Sequence, residues 1–317
     1  MTSTLWVLGE ALMDCVAQPD GSLQAFMGGS PFNLARAAAL RGAPVGFLNP
    51  LSSDAFGDRM RARFAADGVQ TLLPASRLPT ALAIVQIRDG QPQYGFYREG
   101  IADRDYTVDG ILAHLRSASP SPVTRVLHTG SLLLVPPEHE KVVAILQGAK
   151  ALGWIISVDV NLRPQLAPKL AEYIAAVKQV VVLADWLKAS DEDLQLLGFA
   201  QPSRATAAQI AAHFTAQGAS RVALTFGAHG AWLAVDGQAA EADVPPVKVV
   251  DTVGAGDTFW GNCLGDWVLA DGAAQRVAQT LQEAMQAAAI NCAQAGCQPP
   301  SYAQVTQRGS NAPPASG

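Results

Sequence analysis

The stretch Asp251-Thr252-Val253-Gly254-Ala255-Gly256-Asp257-Thr258-Phe259 runs directly into an apolar-periodic segment through Trp260, Leu264 and Trp267. Its three small residues stand where a helix should begin. A helix start leaves its first backbone N–H groups without partners. With nothing bulky at 254 to 256, those groups can converge on an anion together with the positive end of the helix dipole. Asp257 then falls in the first turn beside a bound phosphate, where a carboxylate can take a proton from an attacking hydroxyl. An aspartate so near a helix N-terminus is expected to have a low pKa and to act as a weak base, with orientation mattering more than basicity. The same residues would serve a plain glycine-rich helix start, and spacing alone leaves the two readings level.

Upstream of this turn, short apolar runs alternate with amphipathic stretches, the pattern of βαβ units around a mostly parallel sheet. Strands are expected at 5–9, 45–48, 123–128, 154–158, 186–189 and 222–225. One helix is expected to open at Ser30 as N-cap, with Pro31 behind it, and to stop at Gly42. Others are expected over 55–67, 138–152 and 206–217, each followed by a glycine, and an Ala-rich one over 275–296. One block breaks the rhythm. Ala81, Ala83, Val85 and Ile87 alternate with period two, Asp89-Gly90 makes a hairpin turn, and the chain returns through Tyr94, Phe96 and Arg98. With residues 14–27 this block suggests a small antiparallel β element, and a second hairpin is expected over 231–244 with its turn at Asp236-Gly237. The expected fold class is α/β: a doubly wound, mostly parallel sheet with helices on both faces and a small β lid. It forms one domain over 1–307, with the lid from about 11–28 and 71–105, and residues 308–317 are expected to be a flexible tail.

Composition narrows the partners. The 317 residues are 49% hydrophobic and 15% charged, against about 25% charged in ordinary globular domains, so the bulk of the chain is not disordered. Lys plus Arg total 22 against 27 Asp plus Glu, a net charge of -5, and the basic residues are scattered, which disfavours nucleic acid. The apolar runs stop well short of the roughly 20 residues of a membrane span, and the N-terminal MTSTLWVLGEALMD lacks the basic and apolar regions of a signal peptide. A cytoplasmic protein is expected. The four cysteines form no C-x-x-C and read as reduced and structural. There is no G-x-x-x-x-G-K-[ST], no third glycine after Gly254 and Gly256 to make a dinucleotide fingerprint, no complete H-E-x-x-H and no G-x-S-x-G.

The segment 251–259 resembles the C-terminal signature of the ribokinase-like carbohydrate kinases of the phosphofructokinase B type. Gly28-Gly29-Ser30-Pro31-Phe32-Asn33, continuing to Gly42, resembles their N-terminal signature. The resemblance covers nearly the whole chain and implies ATP-dependent phosphorylation of a sugar hydroxyl, with Mg2+ on the nucleotide phosphates and a monovalent cation such as K+ near Asp251. It implies that Asp257 is the catalytic carboxylate and that the amides of Gly254, Ala255 and Gly256 stabilise the transferring group. Gly28 and Gly29 would let the backbone approach the sugar, Asn33 would hydrogen-bond its hydroxyls, and Asp14 would reach them with its carboxylate. Phe96 and Arg98 would belong to a lid strand closing over the sugar. Asp159-Val160-Asn161-Leu162-Arg163 matches the D-x-N-x-R of fructokinase-like and 2-keto-3-deoxygluconate kinase-like members. It assigns Asn161 and Arg163 to the substrate, at a sheet edge where ligands sit in open α/β folds.

For the nucleotide the resemblance implies Lys188, Ser190, the Thr225-x-Gly227-x-x-Gly230 loop and Ala288. Where the family commonly has Asn-x-x-Glu, this chain has Ser190-x-x-Asp193, which makes Asp193 the candidate for a water-mediated contact with Mg2+. Fructose is the expected substrate, with 2-keto-3-deoxygluconate, ribose or a nucleoside as rivals. A non-catalytic sugar or nucleotide sensor is the alternative from another class, and the intact Gly-Ala-Gly-Asp argues against it. The expected partners are the small-molecule sugar and ATP, with neither nucleic acid nor membrane, and a homodimer would form through the β lid.

Overall fold

The expected alternation is realised in the computed structural model, which describes residues 2–309 except 19, 89–90, 119–122, 168 and 275. The strands are β1 (Thr4–Val7), β2 (Leu12–Ala17), β3 (Leu23–Gly28), β4 (Val45–Phe47), β5 (Val69–Thr71), β6 (Ala81–Arg88), β7 (Gln91–Tyr97), β8 (Arg125–Gly130), β9 (Ile155–Asp159), β10 (Trp186–Ser190), β11 (Arg221–Thr225), β12 (Ala231–Val235) and β13 (Gln238–Ala242). The helices are α1 (Ser30–Arg41), α2 (Ala55–Asp67), α3 (Val108–Ser117), α4 (His139–Ala151), α5 (Leu170–Val181), α6 (Asp191–Leu197), α7 (Ala207–Ala216), α8 (Ala255–Leu269), α9 (Val277–Cys292) and α10 (Tyr302–Gly309). Most expected boundaries fall within two residues of these. The Ala-rich helix is shorter than expected, ending at Cys292, and α10 continues through Arg308 and Gly309, where a flexible tail was expected to start. The expected turn at Asp89-Gly90 and the tail residues 310–317 lie outside the described residues.

Nine strands form the large sheet in the order β13-β12-β11-β10-β9-β8-β1-β4-β5, parallel from β11 to β5 with an antiparallel hairpin at one edge. The winding reverses between β1 and β8, and the crevice outside the carboxyl ends of those strands is where such sheets receive ligands. Thr71, at the margin of the expected lid, belongs to this sheet through β5. Helices α3 to α7 cover one face around Leu115, Leu146, Val177, Leu194 and Phe214, while α1, α2, α8 and α9 cover the other around Leu34, Phe64, Trp260 and Leu281. Among the described residues no helix is long and apolar enough to cross a membrane.

Two features of this frame position the site. First, α1 and α8 approach closely because α8 carries Gly261 and Gly265: a methyl group at 261 would lie 2.7 Å from Ala37 Cβ and from Leu34 O, and one at 265 would lie 3.0 Å from Arg41 Cγ. Second, β3-β2-β6-β7 form a separate four-stranded sheet, the expected lid. In its register Asp14 stands beside Phe26 and Ala83, and Ala83 beside Phe96, so the pleat puts these four side chains on one face.

Candidate active site

The first turn of α8 carries the reacting geometry. Gly254 caps it in the left-handed region at φ 74°, and a methyl group there would lie 2.1 Å from Cys297 Sγ, so both the turn and its packing demand glycine. Within the described hydrogen bonds the Ala255 amide donates to Thr252 O at 3.2 Å, whereas the amides of Gly254 and Gly256 have no acceptor. Asp257 follows in the first turn, buried, with Oδ1 accepting from Ser30 Oγ at 2.7 Å and Oδ2 from Asn33 Nδ2 at 2.9 Å.

Ser30 corrects a sequence expectation. The N-cap of α1 is Gly29 and no side chain caps the helix; Ser30 is its first residue, with its amide on Glu10 Oε1 at 3.2 Å and its hydroxyl on Asp257. The acidity of Asp257 is corrected too. Burial pushes its carboxyl up, against the hydrogen bonds from Ser30 and Asn33 and the charges of Lys188 and Arg163, so it is a better base than its place in the helix suggests.

Asp14, on β2, shares this space: burial and the charge of Asp257, against the pull of Arg163, raise it to about 6. Gly28 and Gly29 are glycines for a reason the sequence does not show. A methyl group at Gly28 would lie 2.1 Å from Asp14 Oδ2, and one at Gly29, where φ is 104°, would lie 2.6 Å from Glu10 O. Asn161 and Arg163 follow β9; Asn161 has a φ of 39°, and Arg163 Nη1 donates to Leu162 O at 3.0 Å. Phe96 packs with Leu12, Ala81 and Leu132 on the lid face that carries Asp14. Arg98 is buried, with Nη2 on Leu132 O at 3.2 Å and Asp103, Glu10 and Arg104 as charged neighbours.

On the other side of the α8 turn, Lys188 Nζ lies between the oxygens of Asp159, at 2.8 and 2.9 Å, and 3.1 Å from where a methyl group on Gly256 would stand. Burial works against this ammonium, but the carboxylates of Asp159, Asp193 and Asp257 outweigh it and hold it above the usual lysine range. Ser190 and Asp193 form a capping box on α6, and Asp193 also accepts the Leu162 amide at 2.7 Å. Thr225 ends β11; Gly227 and Gly230 follow in a tight turn with φ of 53° and 88°, and a methyl group at Gly227 would meet only open space. Ala288 is partly buried on α9. Asp251 accepts the amides of Val253 and Gly296 at 3.0 and 2.8 Å. Sequence reasoning missed Glu10 and Ser30 as supports of Asp257. The adjacency of Ser30 to Asn33 in one helical turn is a sequence signal for Ser30, and nothing local points to Glu10, 20 positions away.

A buried carboxylate at a glycine-lined helix start with unpaired amides can accept a proton beside a bound anion. Residues 2–304 match the pfkB family of carbohydrate kinases, and the chain belongs to that family. It is 31% identical over 256 residues to a fructokinase of Rhizobium leguminosarum bv. trifolii, covering 79% of this chain and 76% of that one. The structure of a fructokinase with bound ATP from Xylella fastidiosa matches with a TM-score of 0.83 at 27% identity, over 98% of this chain and all of that one. A Vibrio cholerae O395 fructokinase in its fructose-, ADP- and potassium-bound form matches with a TM-score of 0.81 at 26% identity, over 96% and 98%.

Proposed function

We propose that this carbohydrate kinase is a fructokinase, transferring the γ-phosphoryl group of MgATP to the 6-hydroxyl of fructose. The observation that carries the reading is the Asp257 carboxylate, held by Ser30 and Asn33 in the first turn of α8 behind Gly254, with Asp14 and Arg163 near enough for their charges to act with it. The fructokinase relatives support the choice of sugar. Fructose lies against Gly28 and Gly29 under Phe96 and Arg98, with Asp14, Asn33 and Asn161 taking its hydroxyls. The 6-hydroxyl faces Asp257, which orients it and takes its proton as the phosphoryl group moves in line. Charge on that group is balanced by the amides of Gly254, Ala255 and Gly256, with the Ala255 amide leaving its turn bond to Thr252, and by Arg163 and Lys188. Thr225, Gly227, Gly230, Ser190 and Ala288 line the nucleotide side.

Among the described residues no group of three acidic, His or Cys side chains could cage a metal ion. That fits magnesium, which keeps most of its waters and arrives on the nucleotide phosphates. Asp193 spends three acceptor positions on Leu162 and Ser190, and its fourth is left for a water of that ion. Asp251 supplies the negative charge for a monovalent cation, a role supported by the potassium-bound relative. Two copies pair through the lid at Leu23 and Tyr97, which are 52% and 65% exposed.

Coupled ADP release across a sugar panel tests the reading: fructose gives the highest kcat/KM, and turnover of ribose or 2-keto-3-deoxygluconate without fructose overturns it. Asp257→Asn lowers kcat by about 10²–10⁴-fold with nucleotide affinity retained, and a near-normal rate removes its assigned role.

A further inference from the structure

A cavity of about 120 Å³ lies between the outer lid strand β3, α1, α2 and the segment that follows α9. Phe26 of β3, Arg36 of α1, and Arg59 and Arg63 of α2 form its walls, and Gly296 and Cys297 form its floor. Its charges do not balance. Arg36 and Arg63 both direct Nε at a single oxygen, Asp67 Oδ2, at 2.7 and 2.9 Å, and Arg59 makes no ion pair with a described residue. Three cations against one carboxylate leave a surplus of two positive charges. Arg36 is 2% exposed, so its charge is almost fully desolvated, and Arg59 and Arg63 stand one helical turn apart, where like charges repel. An anion seated among them relieves both costs, and forked guanidinium donors match the geometry of phosphate oxygens.

The floor of this cavity is the back of the reacting turn. Arg36 Nη1 donates to Cys297 O at 3.1 Å, the Gly296 amide is held by Asp251, and Cys297 Sγ fills the space beside Gly254 that a methyl group would need. We propose that the pocket of Arg36, Arg59 and Arg63 is a second anion site that takes a phosphomonoester dianion and, through Cys297, couples its occupancy to the Gly254–Asp257 turn. Binding does not depend on the chain being a kinase. The coupling rests on that reading, so the two parts fail separately.

The test is calorimetric titration of the full chain with inorganic phosphate at neutral pH, with chloride holding the ionic strength constant. The unmodified chain binds one phosphate more per chain than the double variant Arg59→Gln/Arg63→Gln, and equal stoichiometry overturns the site. Arg59→Gln alone breaks no described ion pair and so keeps the fold. It weakens the extra site on the order of ten-fold, the loss of one charge-assisted hydrogen bond, and unchanged affinity also counts against the site. For the coupling, phosphate changes kcat or KM of the unmodified enzyme on the order of five-fold or more and leaves the double variant unaffected. The same response in both proteins overturns the coupling while leaving the binding result intact.

Discussion

Two hydrogen bonds hold the Asp257 carboxylate, and each favours its ionised form. The rate therefore falls as pH drops through the Asp257 pKa, because only the carboxylate accepts the hydroxyl proton. Ser30→Ala removes one of the two bonds, so that pKa rises and the acid limb of the kcat/KM profile moves to higher pH by roughly one unit, the value of a hydrogen bond to a charged group. Ser30→Thr, which keeps the hydroxyl, restores the original limb. A profile that stays put in Ser30→Ala detaches Ser30 from the chemistry. The glycine turn and Asp257 are legible in the sequence because their demands are local: a left-handed residue, free amides, an acid in the first turn. Ser30 is not, since its partner is 227 positions away and its role appears only once two helices are packed. The Lys188 pair is intermediate. Lys188 and Asp159 sit opposite each other in the β10–β9 register, so the contact follows from strand order, which the sequence pattern leaves open.

At the scale of elements, the site depends on how near α1 comes to α8. Gly261→Leu places a side chain where a single methyl group would already lie 2.7 Å from Ala37 and Leu34 O. Overpacking of this kind costs about 1–3 kcal/mol, and the wedge also draws Ser30 and Asn33 off Asp257. The variant is therefore expected to melt at lower temperature and to lose kcat out of proportion to that loss of stability. A variant that is less stable but fully active at low temperature separates the helix spacing from catalysis. The strand and helix rhythm that builds these elements is legible, as α2 shows, because a side-chain cap at Asp54 and a left-handed Gly68 mark its ends in the sequence itself. Helices α3 and α5 are not among those the sequence pattern predicts. No glycine follows either helix closely, the C-caps being Ala118 and Val182, so Pro120 is the one local stop signal behind α3 and none stands behind α5.

For the whole molecule, pairing of two copies through the lid is checked by light scattering at micromolar concentration. The unmodified chain has the mass of a dimer, and Leu23→Asp/Tyr97→Asp that of a monomer. A monomeric unmodified chain removes the lid as an interface. The order of strands in the large sheet bears on synthesis as well. Strand β1 lies between β4 and β8, and β8 begins only at Arg125. At ribosomal speeds of 5–20 residues per second, the intervening stretch of roughly 120 residues takes on the order of 6–24 s to appear. Until then one edge of β1 has no partner, and a bare strand edge is a template for another chain. The form of this protein expected to be most open to wrong pairing is thus the chain in which β8 has not yet been made, rather than the finished fold.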